Sequence, residues 1–281
     1  MNIKNIHKIL FITLSNVGDV ILTLPVLSAL KDNFPDAVLD VVVGPRPEQI
    51  FKKDPRVNKI FIYDKYARLN NKLEFIKKLR AERYDLAVDM KTSLLPLLIG
   101  AKNRTPLLAL RKSGARHKRS EHLGSLLPFG IGYREQKNIY IDEESRRRVE
   151  TMLRDNGITG ADTLIGMSPG SKSLLKQWKK QGFIDVISNM LQNPQRKVIL
   201  TGDANEAGLS KEIAGVVNRP GLIDLTGKTS LNELFALIEK LDLFLTCDSA
   251  GMHIASDLGG RVVAIFGPTD PEEYGPGGIG D

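Results

Sequence analysis

The sequence predicts an α/β fold built as two doubly wound parallel sheets, one in each half of the chain. Short apolar runs alternate with charged or amphipathic helical segments along most of its length, the order expected of β-α-β units. Its 281 residues suffice for one large α/β domain or two medium ones. Charge favours two. Residues 1–150 carry 28 Lys and Arg against 17 Asp and Glu, a surplus of 11. Residues 151–281 carry 12 against 16, a deficit of 4. A basic half joined to a mildly acidic half implies domains 1–150 and 151–281 with different partners, the first preferring an anionic one.

The first strand is the apolar run at 9–14. It stops at Ser15, Asn16, Val17 and Gly18, and Asp19 follows at once, ahead of a second apolar segment. That order reads as buried strand, tight loop, helix start. Ligands of open α/β sheets bind beyond the carboxyl ends of strands, so Asp19 stands where a catalytic carboxylate would. It would serve equally well as a helix N-cap. The helix is expected to end near residues 33–36. Pro25 either opens a helix in its first turn or kinks one that begins at Val20.

Strands at 38–43, 60–63 and 84–89, with a charged amphipathic helix at 70–83, complete the first cycle; Gly44 and Pro45 stop the second strand. From 101 to 119 the alternation gives way to a basic stretch. It holds Lys102, Arg104, Arg111, Lys112, Arg116, His117, Lys118 and Arg119, with no acid among them. A charged helix at 142–156 bridges to the second cycle. Strands follow at 164–167, 197–201, 222–225, 241–246 and 261–266, separated by helices at 179–192, 205–217, 230–240 and 250–258. The two halves read as variations on one plan. The chain closes on a glycine-rich stretch at 274–281, an ending that points to a missing C-terminal segment.

Several function classes are disfavoured. The single cysteine, Cys247, allows no intrachain disulfide and fits a reducing, cytoplasmic setting. The N-terminus lacks a clean signal-peptide pattern, and its apolar run is broken by Ser15, Asn16 and Asp19, too short to span a bilayer. Any membrane contact would be peripheral. His7, His117, His122 and His253 show no metal-ligand spacing with cysteines or carboxylates. The phosphate loop, the dinucleotide fingerprint and the Gly-x-Ser-x-Gly nucleophile turn are all absent.

Three strand ends carry candidate chemistry. Ser168, Pro169, Gly170 and Ser171 follow an apolar run and precede Lys172, Lys176 and Trp178. Exposed backbone N–H groups and lysines there suit a phosphate or diphosphate; a plain turn with solvated lysines is as probable on the local pattern. Asp248, Ser249, Gly251 and His253 open a helix whose first N–H groups can hold an anion, with Asp248 accepting from sugar hydroxyls. A simple helix cap explains Asp248 or Ser249 too, and a packed, hydrogen-bonded histidine explains His253. Gly267, Pro268, Thr269 and Asp270 lie beyond a further strand and either complete the same crevice or form a turn.

Four segments, in order, resemble glycosyltransferase family nine, the ADP-heptose:lipopolysaccharide heptosyltransferases. They are residues 9–30, residues 84–89, Ser168 to Ser171 with Lys176, Gln177 and Trp178, and residues 247–253 through Phe266 to Asp270. The resemblance spans essentially the whole chain. It implies a GT-B architecture, two Rossmann-like domains facing a central cleft, the first taking the acceptor and the second the nucleotide-sugar donor. It implies an inverting transfer of heptose from ADP-heptose to the anionic lipopolysaccharide inner core. Asp19 would be the general base and Lys176 the cation steadying the departing diphosphate. Ser168, Gly170 and Ser171 would lie near diphosphate and heptose, and Glu206 and Thr229 would contact adenosine. Asp248 would bind heptose hydroxyls beside Ser249, with Gly251 and His253 at the diphosphate end. The basic residues Arg111, Lys112, Arg116, Lys118 and Arg119 would meet the acceptor.

On this reading no cofactor is required, Mg2+ acting at most as a stimulant. A monomer is expected, cytoplasmic or peripheral at the cytoplasmic face of the inner membrane, with no nucleic-acid partner. Two departures stand out: Ala250 occupies a position where the family has glycine, and members usually run on to a C-terminal helix that returns to the first domain. The alternatives are a relative using another nucleotide sugar, a non-catalytic nucleotide-sugar or phosphoglycan binder, and a nucleic-acid binder using residues 102–119. The last is weakened by the lack of interleaved aromatics.

Overall fold

The structure is a computed structural model that describes residues 3, 5–106 and 116–278. The chain folds into two compact units, Met1–Asn138 and Ile139–Asp281.

The first unit contains β1 (Lys8–Ile12), α1 (Val17–Asn33), β2 (Val38–Val43), β3 (Lys59–Ile62), α2 (Leu69–Ala81), β4 (Leu86–Asp89), α3 (Leu95–Leu98), β5 (Asn103–Arg104) and α4 (Lys118–Gly124). The strands form one parallel sheet in the order β3-β2-β1-β4-β5. Phe11 in the central strand pairs with Val41 on one side and Val88 on the other. One cluster packs Leu10, Ile12, Val42, Phe61, Leu79, Tyr84 and Ala87 together. Helix α1 is apolar all round, and every residue from Val20 to Leu30 is buried, as expected of a helix covered on several sides. It starts at Val17, earlier than either alternative that Pro25 suggested, and runs through that proline. The buried Asp40 accepts from Tyr84 Oη at 2.9 Å, Asn58 Nδ2 at 2.8 Å and Lys59 N at 3.1 Å, so its desolvation is offset by hydrogen bonds.

The fifth strand lies inside the stretch that reads as a break in the alternation. Asn103 and Arg104 pair with Leu86 and Ala87 at the sheet edge. Two polar residues carry no apolar period, and an edge strand needs none.

The second unit contains α5 (Glu143–Asp155), β6 (Thr163–Ser168), α6 (Lys180–Met190), β7 (Arg196–Leu200), α7 (Ala207–Val217), β8 (Leu222–Asp224), α8 (Leu231–Glu239), β9 (Leu243–Cys247), α9 (Ala250–Asp257), β10 (Val262–Ile265) and α10 (Pro271–Tyr274). Its parallel sheet runs β10-β9-β6-β7-β8. Numbered from its own first strand, this is the order of the first unit, so the two sheets share one topology. The core joins Met167, Phe183, Ile187, Val198, Leu200, Ile213 and Cys247.

A boundary at residue 150 does not survive. It would cut α5, whose Ser145, Val149 and Leu153 are buried and which packs on α8. The charge of α5 resembles the basic half, but its apolar face belongs to the second unit. Among the described residues no helix is long and apolar enough to cross a membrane.

Candidate active site

In both sheets the strand order reverses once, between β1 and β4 and between β6 and β9. Such switch points open a crevice beyond the carboxyl ends of the two strands. The candidate residues gather there.

In the first unit the loop after β1 is fixed from below. Thr13 Oγ1 lies 2.7 Å from Thr23 Oγ1, which donates to the Val20 carbonyl at 2.7 Å, so Thr13 is the donor in the pair. Asn16 is the N-cap of α1, with extended backbone and no side-chain cap bond. Its Nδ2 instead donates to Asp19 Oδ2 at 2.9 Å. Asp19 is therefore in the first turn and is not the cap, and a carboxylate there is favoured by the helix dipole. It is half-buried. The helix α4 packs on α1 and buries His122, whose Nδ1 has no hydrogen-bond partner. Burial pushes the His122 imidazole down to about 4, with smaller effects from Glu121, Lys118 and Asp19.

In the second unit Ser168 ends β6, pairs with Thr246 on β9 and is buried. Gly170 lies directly against Glu206, since a Cβ there would be 2.2 Å from Glu206 Oε1 and would displace that side chain. The other carboxylate oxygen, Oε2, accepts from Asp203 N at 2.8 Å in a capping box, and burial pushes the Glu206 carboxyl up. The loop leading to Thr229 joins the same sheet end, because Gly227 N donates to the Gly202 carbonyl at 3.0 Å and Gly202 also abuts Glu206. Thr229 itself precedes Ser230, the N-cap of α8.

Lys176 ends a short turn held on three sides. Gln177 Nε2 donates to the Ser171 carbonyl at 3.1 Å, and Trp178 N donates to Cys247 Sγ at 3.3 Å. A Cβ on Gly267 would lie 2.4 Å from the Leu175 carbonyl oxygen, so the loop after β10 also touches this turn. Lys176 Nζ lies 2.7 Å from Asp248 Oδ2, an ion pair whose angles fall outside those of a hydrogen bond. Asp248 is buried and follows β9 directly. Ser249 is the N-cap of α9, but its hydroxyl lies 2.9 Å from Thr246 Oγ1 instead of capping the helix. Gly251 sits under Phe244, and His253 is buried within α9. Ser168, Gly170, Ser171, Lys176, Glu206, Asp248 and Ser249 thus share the carboxyl end of one sheet. Backbone N–H groups, one ammonium and one buried carboxylate can there hold a diphosphate beside a hydroxylated group.

The basic stretch fares differently. Arg111 and Lys112 lie outside the described residues. Arg116 is exposed. Lys118 pairs with Glu121 at 2.8 Å. Arg119 is buried, donates to Tyr133 Oη at 2.8 Å and pairs with Glu135, so its guanidinium is committed to the interior of the unit and is not a surface contact for an acceptor. Folding brings acids from outside the stretch to cations that have none within it. Sequence reasoning passed over Lys91, just beyond β4, and His122. A cation directly after a buried strand was the available signal for Lys91; the burial of His122 had none in so charged a helix.

A model of glycosyltransferase family 9 (heptosyltransferase) matches residues 72–279. The chain is 30% identical over 278 residues to lipopolysaccharide heptosyltransferase 3 of Escherichia coli K12, covering 90% of this chain and 80% of that one. The fold is similar to the crystal structure of a glycosyl transferase family 9 protein from Veillonella parvula, with a TM-score of 0.85, 24% identity and coverage of 99% and 86% of the two chains. It is also similar to Escherichia coli heptosyltransferase WaaC with ADP-2-deoxy-2-fluoro heptose, with a TM-score of 0.70, 17% identity and coverage of 96% and 95%. With its paired Rossmann-like units of GT-B type, the chain belongs to glycosyltransferase family 9 and is a glycosyltransferase.

Proposed function

We propose that the enzyme is an inverting heptosyltransferase that moves heptose from ADP-heptose to the lipopolysaccharide inner core. The second unit would take the donor and the first the acceptor. The observation that supports this most is the Lys176–Asp248 pair at the β6/β9 switch point, flanked by the Ser168–Ser171 loop. A diphosphate entering there would draw the ammonium and free the carboxylate for sugar hydroxyls. Glu206 and Thr229 lie on the loops after β7 and β8, the side where a nucleoside would extend.

In the reaction Asp19 takes the proton of the acceptor hydroxyl as its oxygen bonds to the anomeric carbon. The bond from that carbon to the diphosphate oxygen breaks, and the electron pair leaves with ADP. Lys176 and N–H groups at the start of α9 stabilise the growing charge. Attack opposite the leaving group inverts the centre. General-base help is worth about 10²–10⁴-fold. In this proposal the exposed Arg116 and the half-buried Lys118, which pairs with Glu121, are the cations of the basic stretch assigned to an anionic acceptor. A monomer working at the cytoplasmic face of the inner membrane completes the proposal.

The test is Asp19→Ala, assayed by ADP release with ADP-heptose and a heptose-free core acceptor. Turnover should fall at least about 100-fold while melting temperature and donor binding stay at wild-type values. Near-normal turnover removes Asp19 from the base role. In a thermal-shift panel ADP-heptose should stabilise the protein, and UDP-GlcNAc and GDP-mannose should not. A shift with another nucleotide sugar alone would reassign the donor.

A further inference from the structure

The β6/β9 switch point has an equivalent in the first unit, and its chemistry has not been used. Beyond β4 the chain turns sharply through Met90, Lys91, Thr92 and Ser93. Thr92 adopts φ 52°, a left-handed conformation that a β-branched residue avoids. Buried Asp89 holds this turn. Its Oδ1 accepts from Lys91 N at 2.7 Å, and its Oδ2 accepts from Ser93 N at 2.8 Å and Ser93 Oγ at 2.6 Å. Strain maintained by a buried carboxylate is characteristic of functional turns.

The turn sends the Lys91 side chain across the switch point. Its Nζ donates to Ser15 Oγ at 3.2 Å, in the loop that leads to Asp19, and lies 5.4 Å from the centre of the Tyr63 ring. The end of β2 leaves room for that loop, since a Cβ on Gly44 would lie 3.1 Å from Ser15 Cβ. Lys91 is half-buried as a residue, its bond to Ser15 is open to solvent, and no described carboxylate forms an ion pair with the ammonium. Asp89, the acid whose charge acts on Lys91, is committed to the turn, and Lys65 adds an opposing positive charge. A partly shielded cation without a counter-ion has an electrostatic preference for an anion. Burial pushes the Lys91 ammonium below its ordinary value.

We propose that Lys91 and Ser15 form an oxyanion subsite that grips a carboxylate or phosphate of the acceptor and so places its hydroxyl at Asp19. The ligand chemistry follows from the groups present: one ammonium, and one hydroxyl that accepts from it and keeps its own proton to donate, with no carboxylate paired to the ammonium. Asp19 lies four residues beyond Ser15 and is tied to the same loop by Asn16. The subsite rests on the acceptor reading of the first unit given above and makes Lys91 a binding and positioning residue.

The experiment compares wild type with Lys91→Met, Lys91→Arg and Ser15→Ala in steady-state transfer assays. A lost charge-assisted hydrogen bond predicts a rise of about 10–100-fold in acceptor KM for Lys91→Met. Donor KM should not change, kcat should stay within about twofold, and the melting temperature should match wild type. Lys91→Arg should recover most of the loss. Phosphatase-treated and carboxyl-reduced acceptors distinguish the two sources of the oxyanion. The treatment that weakens wild type but leaves Lys91→Met unaffected names the group. An unchanged acceptor KM in Lys91→Met, or an equal loss on acceptors stripped of both groups, overturns the proposal. If wild type transfers no sugar at all, the acceptor reading fails separately. The subsite is then tested by calorimetry with inorganic phosphate and with glucuronate. Binding by wild type but not by Lys91→Met supports it; equal binding by both, or none by either, overturns it.

Discussion

His122 should make the stability of the first unit depend on pH in a range where carboxylates contribute little. Burial holds its imidazole at about 4 in the folded protein against an ordinary 6.5. The neutral form is therefore favoured by folding. Its contribution is fully present above about pH 6.5, falls as the unfolded chain takes up the proton, and reaches its full loss below about pH 4. At pH 5 the two values give a loss of about 2 kcal/mol, and the limiting loss is about 3 kcal/mol. With an m-value of about 2 kcal/mol/M, the urea midpoint should fall by about 1 M between pH 7.5 and pH 5. The control is His122→Leu, which keeps a similar volume and removes both the proton site and the unpartnered Nδ1. At pH 7.5 it should equal or exceed wild type in stability, because an unsatisfied buried polar atom is removed. Its midpoint should barely move over the same pH interval. A wild-type midpoint that is flat from pH 7.5 to 5, or a variant that keeps the wild-type slope, refutes the reasoning.

Other outcomes follow from close contacts already described. Gly267→Ala would drive a methyl into the Leu175 carbonyl and shift the turn that carries Lys176; donor KM should rise several-fold or more while acceptor KM holds. Tyr84→Phe leaves Asp40 Oδ2 buried without its phenol donor, and urea denaturation should show a loss of about 1–3 kcal/mol. Asp248→Asn removes the carboxylate that pairs with Lys176; thermal shift should show ADP binding retained or strengthened and ADP-heptose losing its advantage over ADP.

The alternation of apolar runs and helices was legible because strands buried in a parallel sheet need continuous apolar residues, as at Leu10 to Ile12 and Val198 to Leu200. The positions of Ser168 and Asp248 were legible for a related reason, since each polar residue stands where such a run stops, and Asp19 stood out as the carboxylate opening the helix beyond the first run's loop. The residues that eluded the sequence depend on tertiary structure. Asn103 and Arg104 are a strand only because β4 lies beside them. Arg119 looks like a solvated cation until Tyr133 and Glu135 fold onto it. The Lys176–Asp248 pair joins residues far apart in the chain, and neither local pattern hints that they touch. The boundary after Asn138 was hidden by α5, whose exposed charges outnumber the few apolar residues that assign it to the second unit.

The strand order also bears on synthesis. In each unit the first strand made ends at the centre of the sheet, with one neighbour following soon and the other much later. β1 gains β2 early but remains open on its other edge until β4 emerges, and β6 waits in the same way for β9. The growing chain therefore presents an unpaired apolar edge twice, once for each unit, the kind of surface that recruits other strands. Because the first sheet is complete before residue 139, that exposure can close on the ribosome. The second edge waits through a similar span, from β6 (Thr163–Ser168) to β9 (Leu243–Cys247), so each unit runs the same risk of misassembly in its turn.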